Sequence, residues 1–289
     1  MRTWLTGYDM RQAASLDDAL RVMADDPGGW TPFAGGTDLM VLMEAGKLSR
    51  KRFLNIWSLR ELRGVKVESS KVMIGALATY TDVLEDATLK AEFPLVCAAA
   101  RETGAVAIQN RGTVGGNIAN ASPAADLPPA LLVYDAELTV RSLRGERRIR
   151  YDEFHKGYKV MDLAPDELIT SVTLPRGRAA WIQAYRKVGT RRAQAISKVC
   201  FAAAASVHNG EAADVRIALG SVGPTVVRCR RAEDALRGRP LQAAAPGARA
   251  ELERDIAPID DIRSNARYRR LVAGNLLEEF IRGCIENVS

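Results

Sequence analysis

Apolar residues recur at helical spacing in two well-separated stretches. Near the start, Leu16, Ala19, Leu20 and Met23 follow Ser15 and Asp18, a pair spaced like a helix N-terminal capping box, and the pattern stops before Pro27-Gly28-Gly29. Near the end, Tyr268, Leu271, Val272, Leu276, Phe280, Ile281, Cys284 and Ile285 form one broad apolar stripe, the clearest helix of the chain. Between them the pattern is mixed. Residues 30–34 read as a short buried strand running into Gly35-Gly36, residues 41–46 as a helix and 53–56 as a strand. Residues 65–67 and 72–74 read as paired strands around a polar turn. Residues 81–86 and 94–103 have helical composition, residues 131–142 and 147–151 read as a hairpin around Arg144-Gly145, and 167–174 as a further strand. Pro175-Arg176-Gly177-Arg178 is the best domain boundary. Beyond it, 179–188, 197–207 and 215–222 read as strands, followed by helices near 231–237 and 248–254.

Composition narrows the class. The 289 residues suit about two domains, at roughly 100–200 residues each, with room for three smaller lobes. With 47% apolar and 26% charged residues, the chain has the make-up of a globular protein with a real core. The first fifteen residues carry no apolar stretch behind their basic positions, and residues 93–100 and 200–207 are too short to span a bilayer. The expectation is a cytoplasmic protein without membrane insertion. Cys97, Cys200, Cys229 and Cys284 stand far apart with no CxxC spacing, which argues against an iron–sulfur or zinc site in this chain and for reduced core thiols. His155 and His208 are too few for a His-rich metal site. The net charge of +6 reads as solvated faces, or as attraction to an acidic partner or an anionic cofactor. No nucleic-acid-binding signature is present.

Two glycine-rich segments carry the candidate chemistry. The first is Phe33-Ala34-Gly35-Gly36-Thr37-Asp38-Leu39. The second is Asn110-Arg111-Gly112-Thr113-Val114-Gly115-Gly116-Asn117-Ile118, continuing to Ala121-Ser122-Pro123-Ala124-Ala125-Asp126. Paired glycines let main chain approach a ligand closely, and successive N–H groups can converge on an anion. Neither segment is a GxGxxG fingerprint or a Walker A sequence. From their chemistry alone, two such loops about 80 residues apart imply a phosphate-bearing ligand and no more.

In this combination and order the segments resemble the FAD-binding (medium) subunit of the molybdenum hydroxylases, the family of xanthine dehydrogenase, carbon monoxide dehydrogenase and quinoline oxidoreductase. The resemblance runs nearly end to end. It takes in Ile74-Gly75-Ala76, Phe154-His155-Lys156-Gly157-Tyr158 with Glu167, Tyr185-Arg186-Lys187 with Arg191-Arg192, and the run SNARYR from Ser264 to Arg269. It implies an α+β fold of the p-cresol methylhydroxylase type: two α/β lobes, residues 1–60 and 61–178, clasping FAD, and a C-terminal domain, 179–289, with a small antiparallel sheet and helices.

Carried over residue by residue, the resemblance places Ala34, Gly35, Gly36, Thr37, Asp38 and Leu39 around the pyrophosphate, with Pro32 and Phe33 ahead of them. Gly112, Thr113, Val114, Gly116, Asn117 and Ala119 form the second wall. Ser122 and Asp126 lie along the pyrophosphate, ribose or adenine half, and Ala76 and Thr103 also line the cofactor. Ile169 and Lys187 lie near the flavin ring or the sugar chain, with Arg186 the close alternative to Lys187. No catalytic residue and no metal ligand is assigned to this chain.

The resemblance further implies non-covalent FAD, since neither histidine falls in a loop expected to meet it. It implies a partner small subunit carrying [2Fe-2S] clusters and a large subunit carrying molybdopterin, often in a dimer of heterotrimers. Two departures stand out. Gln109 occupies a position that is often arginine in the family, and the isolated cysteines exclude the additional iron–sulfur loop of the 4-hydroxybenzoyl-CoA reductase relatives. The favoured reading is an electron-transfer subunit. The alternatives are a self-sufficient FAD oxidoreductase of the same fold and a cofactor-free assembly module.

Overall fold

The computed structural model describes residues 7–191 and 194–287. Arg192, one of the residues carrying the resemblance, lies outside the described residues. The chain begins with β1 (Asp9–Gln12), α1 (Leu16–Asp25), β2 (Thr31–Phe33), α2 (Leu39–Glu44) and β3 (Arg52–Asn55). The three strands form a parallel sheet in the order β1-β3-β2. Ser15 caps α1 by accepting from the Asp18 N–H at 3.1 Å, while Asp18 accepts from Ala14 rather than from Ser15, so only half of a capping box forms. Leu16, Ala19, Leu20 and Met23 bury the inner face of α1 against Leu54, Leu59 and Leu62.

The middle of the chain adds β4 (Val65–Val67), β5 (Lys71–Gly75), α3 (Tyr80–Glu85), α4 (Ala87–Glu92), α5 (Pro94–Glu102), α6 (Val106–Gln109), α7 (Val114–Ala119) and α8 (Pro128–Val133). It continues through β6 (Glu137–Ser142), β7 (Gly145–Arg150), α9 (Tyr151–Phe154), the small hairpin β8 (His155–Gly157) and β9 (Val160–Met161), and β10 (Leu168–Pro175). The larger strands make one antiparallel sheet, β4-β5-β10-β6-β7. Two readings from the pattern need correction. Leu131 to Val133, expected in a strand, are helical, because Pro128 and Pro129 occupy the first helical positions, where a missing N–H costs nothing. Val114 to Asn117, read as part of a glycine loop, wind into α7 once Thr113 caps them.

At the entry to β10, Glu167 is buried and accepts from Arg147 Nε and Nη2 at 2.7 and 2.8 Å and from the Ala164 N–H at 2.7 Å. The Arg147 fork holds the Glu167 carboxyl below its usual range, although burial opposes this. A lowered folded value stabilises above the unfolded carboxylate pKa of about 4.3 and is lost as pH falls through the folded value. Because Arg147 is 40% exposed, Glu167→Gln should cost only about 1–2 kcal/mol at pH 7. The variant should lose less than the parent between pH 5 and pH 3, as read from urea midpoints.

The last third comprises β11 (Ile182–Val188), β12 (Val199–His208), β13 (Glu211–Gly220) and β14 (Val227–Arg228), an antiparallel sheet in that order, then α10 (Arg230–Leu236), α11 (Leu241–Asp255) and α12 (Ala266–Glu286). Helix α11 starts earlier than the pattern suggested and runs through Pro246 in its second turn. Strand β12 is buried on both faces, which explains its alanines. Ala202 and Ala204 pack into the core of the antiparallel middle sheet, whereas Phe201, Ala203 and Ala205 face the core built on α12. Short side chains let α8 lie close on one side of this sheet while Phe280 of α12 meets Phe201 on the other, ring centroids 6.1 Å apart.

All four cysteines are buried and free, and burial pushes every thiol up, Cys97 to about 11 and Cys284 to about 12. They pack as small apolar groups. Among the described residues, no cluster of three or more His, Cys, Asp or Glu could hold a metal ion, and no helix is long and apolar enough to cross a membrane.

Candidate cofactor site

The two glycine segments, remote in sequence, meet in space. Strand β2 delivers Ala34-Gly35-Gly36-Thr37-Asp38 into α2, while the turn after α6 delivers Arg111-Gly112-Thr113 into α7. They touch at Gly35, where an added Cβ would lie 1.7 Å from the Arg111 carbonyl oxygen. Gly36 takes φ +76° and lies over the Phe33 ring, which an added Cβ would approach to 2.6 Å. Arg111 stacks on Trp57 at 3.8 Å and directs Nε to the Gly35 carbonyl at 3.4 Å, holding the crossing from outside.

The glycines of the second segment differ in what they face. Gly112 packs on the Tyr80 ring, and Gly115 packs on Ala76, to which its N–H also donates at 2.8 Å. Gly116 is exposed, and among the described residues an added Cβ would meet, beyond its own helix backbone, only the Thr113 hydroxyl that caps the helix. Gly116 is therefore the glycine of the pair that presents open backbone. In the first segment, the N–H groups of Gly35, Gly36, Thr37 and Asp38 find no acceptor among the described residues. Four successive free donors beside an open glycine make a nest suited to a multiply charged anion. Asn117 adds a buried Oδ1 that has no partner among the described residues. A pyrophosphate with a polyhydroxyl chain beside it, as in FAD, fits these donors and this acceptor.

The other residues proposed from sequence differ in burial and in their partners. Pro32 and Phe33 lie in β2, Leu39 is half-buried at the start of α2, and Ala119 is exposed on α7. Thr113 spends its hydroxyl on the cap, Thr103 donates to the Ala99 carbonyl at 2.7 Å, and Ser122 accepts from the Ala124 N–H at 3.3 Å. Val114, Ile169 and Ala76 are buried in the core.

Asp126 and Lys187 come together at 2.6 Å, both nearly closed to solvent. Lys187 also donates to the Glu102 carbonyl at 2.7 Å, and Ser197 donates to Asp126 at 2.6 Å. Burial pushes the Asp126 carboxyl up, and Lys187 and Ser197 oppose that shift. The buried Tyr80 phenol, also raised by burial and by Asp126, lies against Asn117 and Thr103 and so links this ion pair to the second loop. Arg186 points elsewhere, pairing with the exposed Glu279.

Residues missed from sequence complete the frame. Lys159, at the tip of the β8–β9 hairpin, donates to the Asn120 main-chain and side-chain oxygens, and Asn120 donates to Asp38 at 3.2 Å. This bridge is a second tie between the two loops, besides the Gly35 crossing. His155 places Nε2 3.0 Å from the Ile118 carbonyl, and burial lowers its pKa, so a neutral ring donates there. Lys159 sits one position beyond the quoted Phe154–Tyr158 run, which was the available signal. Nothing local marked Trp57 or Ser197.

Comparison with known proteins gives the family. Residues 6–177 match the family described as FAD binding domain in molybdopterin dehydrogenase, and residues 183–284 match the CO dehydrogenase flavoprotein C-terminal domain. The chain is 33% identical over 261 residues to the xanthine dehydrogenase FAD-binding subunit of Escherichia coli O157:H7, covering 89% of each. It is 28% identical over 276 residues to the carbon monoxide dehydrogenase medium chain of Hydrogenophaga pseudoflava, covering 94% of each. Among solved structures, it superposes with a TM-score of 0.89 on quinoline 2-oxidoreductase from Pseudomonas putida 86, at 25% identity over 97% of this chain and 98% of that one. The chain thus belongs to the FAD-binding subunit family of the molybdenum hydroxylases, the flavoprotein component of xanthine and carbon monoxide dehydrogenase-type oxidoreductases.

Proposed function

We propose that this subunit relays electrons: its FAD takes them from a [2Fe-2S] partner subunit and passes them to an external acceptor, while a molybdopterin subunit acts on the substrate. The carrying observation is the paired-loop cradle, together with four buried, raised thiols that are unsuited to ligating a cluster. Relatives named as medium chains and as a subunit of a dehydrogenase complex support a multi-subunit assembly, for which a dimer of heterotrimers is the expected form. Free buried thiols suit a reducing compartment, the cytoplasm.

In this reading the free N–H groups of Gly35 to Asp38 and the open backbone at Gly116 hold the pyrophosphate. Asn117 Oδ1 accepts from a cofactor hydroxyl, and the Arg111 and Lys159 contacts keep the two loops at fixed separation. Bound FAD supplies two-electron redox chemistry, non-covalently. Lys187 places a buried positive charge that favours the anionic reduced form. Residues 1–60, 61–178 and 179–289 serve as the two FAD lobes and the covering domain.

Rapid mixing tests the relay. In the assembled complex, the hydroxylated substrate should bleach the flavin absorbance of this subunit, whereas the isolated FAD-loaded chain should show no bleaching with the same substrate. Bleaching of the isolated chain at the full rate would overturn the relay in favour of a self-sufficient oxidoreductase.

A further inference from the structure

The run Ser264 to Arg269 takes no part in the cradle, yet Arg269 is among the most enclosed charges of the chain, 4% exposed. Its guanidinium donates Nη1 to the Ser221 carbonyl at 2.7 Å and to the Lys198 carbonyl at 3.2 Å, and Nη2 to Asp261 at 2.7 Å. Nε has no partner among the described residues. A buried cation facing a single carboxylate is a poor source of stability, because desolvation offsets most of the attraction. What the rigid fork supplies is geometry, here between the residue ahead of β12 and the residue after β13.

Those two carbonyls lead to the cofactor site. Ser221 is held at φ +66°, a left-handed conformation that non-glycine residues adopt at a cost of about 1–3 kcal/mol. In that conformation its N–H donates to the Pro123 carbonyl at 2.8 Å and its hydroxyl to the Ser197 carbonyl at 2.9 Å. Ser197, fully buried, donates to one oxygen of Asp126, and Lys187 donates to the other. Asp261, Arg269, Ser221, Ser197, Asp126 and Lys187 form one continuous polar chain from the foot of α12 to the second glycine loop.

We propose that Arg269 is a positioning residue for the cofactor site: by fixing Ser221 and Ser197 it sets the Asp126–Lys187 pair, and through that pair how strongly the site favours reduced over oxidised FAD. This rests on the FAD reading above. The direction follows from charge. The Ser197 hydroxyl draws on the Asp126 carboxylate, and when it is lost that carboxylate offsets more of the Lys187 charge, so reduced FAD is held less well.

Spectroelectrochemical titration of the full chain loaded with FAD tests this. Arg269→Gln should lower the preference for reduced FAD about tenfold, a fall of about 30 mV for a two-electron couple. Ser221→Gly, which relieves the left-handed strain while removing the hydroxyl link, should lower the potential in the same direction without loss of thermal stability. It also keeps the test open if Arg269→Gln fails to fold. In a Lys187→Met background neither change should shift the potential further. Wild-type potentials in both variants, with only the melting temperature of Arg269→Gln reduced, would make Arg269 a structural staple and overturn the proposal alone. A wild-type chain that takes up no FAD would overturn the cofactor reading and this inference with it.

Discussion

Gly116→Val should give a folded chain whose affinity for FAD has fallen at least about a hundredfold, while the same substitution at Gly35 should damage the fold itself. The contrast comes from what each absent Cβ would meet. At Gly116 an added Cβ would meet, among the described residues beyond its own helix backbone, only the Thr113 hydroxyl at 2.8 Å, so the branched side chain disturbs one helix cap and fills the space where a ligand would lie. Loss of a cap costs about 0.5–2 kcal/mol, which a chain of this size tolerates. Loss of close backbone approach together with one or two charge-assisted hydrogen bonds, each about 1.5–3 kcal/mol, is ample for a hundredfold weakening. At Gly35 the Cβ would fall on the Arg111 carbonyl, and main chain cannot swing aside as a side-chain tip can. The two loops would have to part, at a cost of several kcal/mol on the scale of severe overpacking. Circular dichroism melts alongside FAD titration separate the two results. A Gly116→Val chain with full flavin occupancy would remove that glycine from the cradle.

Lys187→Met should be the most destabilising single change at neutral pH among the polar residues of the site. Lys187 and Asp126 are 5% and 10% exposed at the side chain, and removing one partner strands the other as a buried charge, typically at about 3–5 kcal/mol. The loss has a pH signature. Burial already raises the Asp126 carboxyl, and without Lys187 nothing but Ser197 opposes that rise. An acid whose folded pKa is raised stabilises the fold below its unfolded value and loses that stability as pH rises through the folded value. The variant should therefore be closer to the parent at pH 5 than at pH 8 in urea denaturation. Asp126→Asn in the same chain should restore most of the loss at pH 8. A Lys187→Met penalty below about 1 kcal/mol, flat in pH, would show that the pair is not buried as a pair.

Much of this was legible along the chain because the relevant signals are local. Glycine pairs mark main chain that must approach something closely, and the apolar stripe of α12 needs only periodicity to be seen. The pattern failed where the deciding partner is distant. Gly35 and Gly116 look alike in sequence, yet one packs on a carbonyl 76 residues away and the other faces open space. Residues 131–133 have strand-like composition, and their helix is set by the prolines before them. The alanines of β12 read as a bland apolar run, because nothing local says that both faces of the strand are covered. Ser197 and Arg269 matter through a chain of hydrogen bonds that joins four separate segments, which no local pattern encodes.

The visible absorption spectrum of the purified chain, taken before and after denaturation with the released cofactor identified by chromatography, tests the central claim most directly. A flavin spectrum with FAD released on unfolding is the result predicted by the paired-loop cradle. A folded, colourless chain that also refuses added FAD would contradict it.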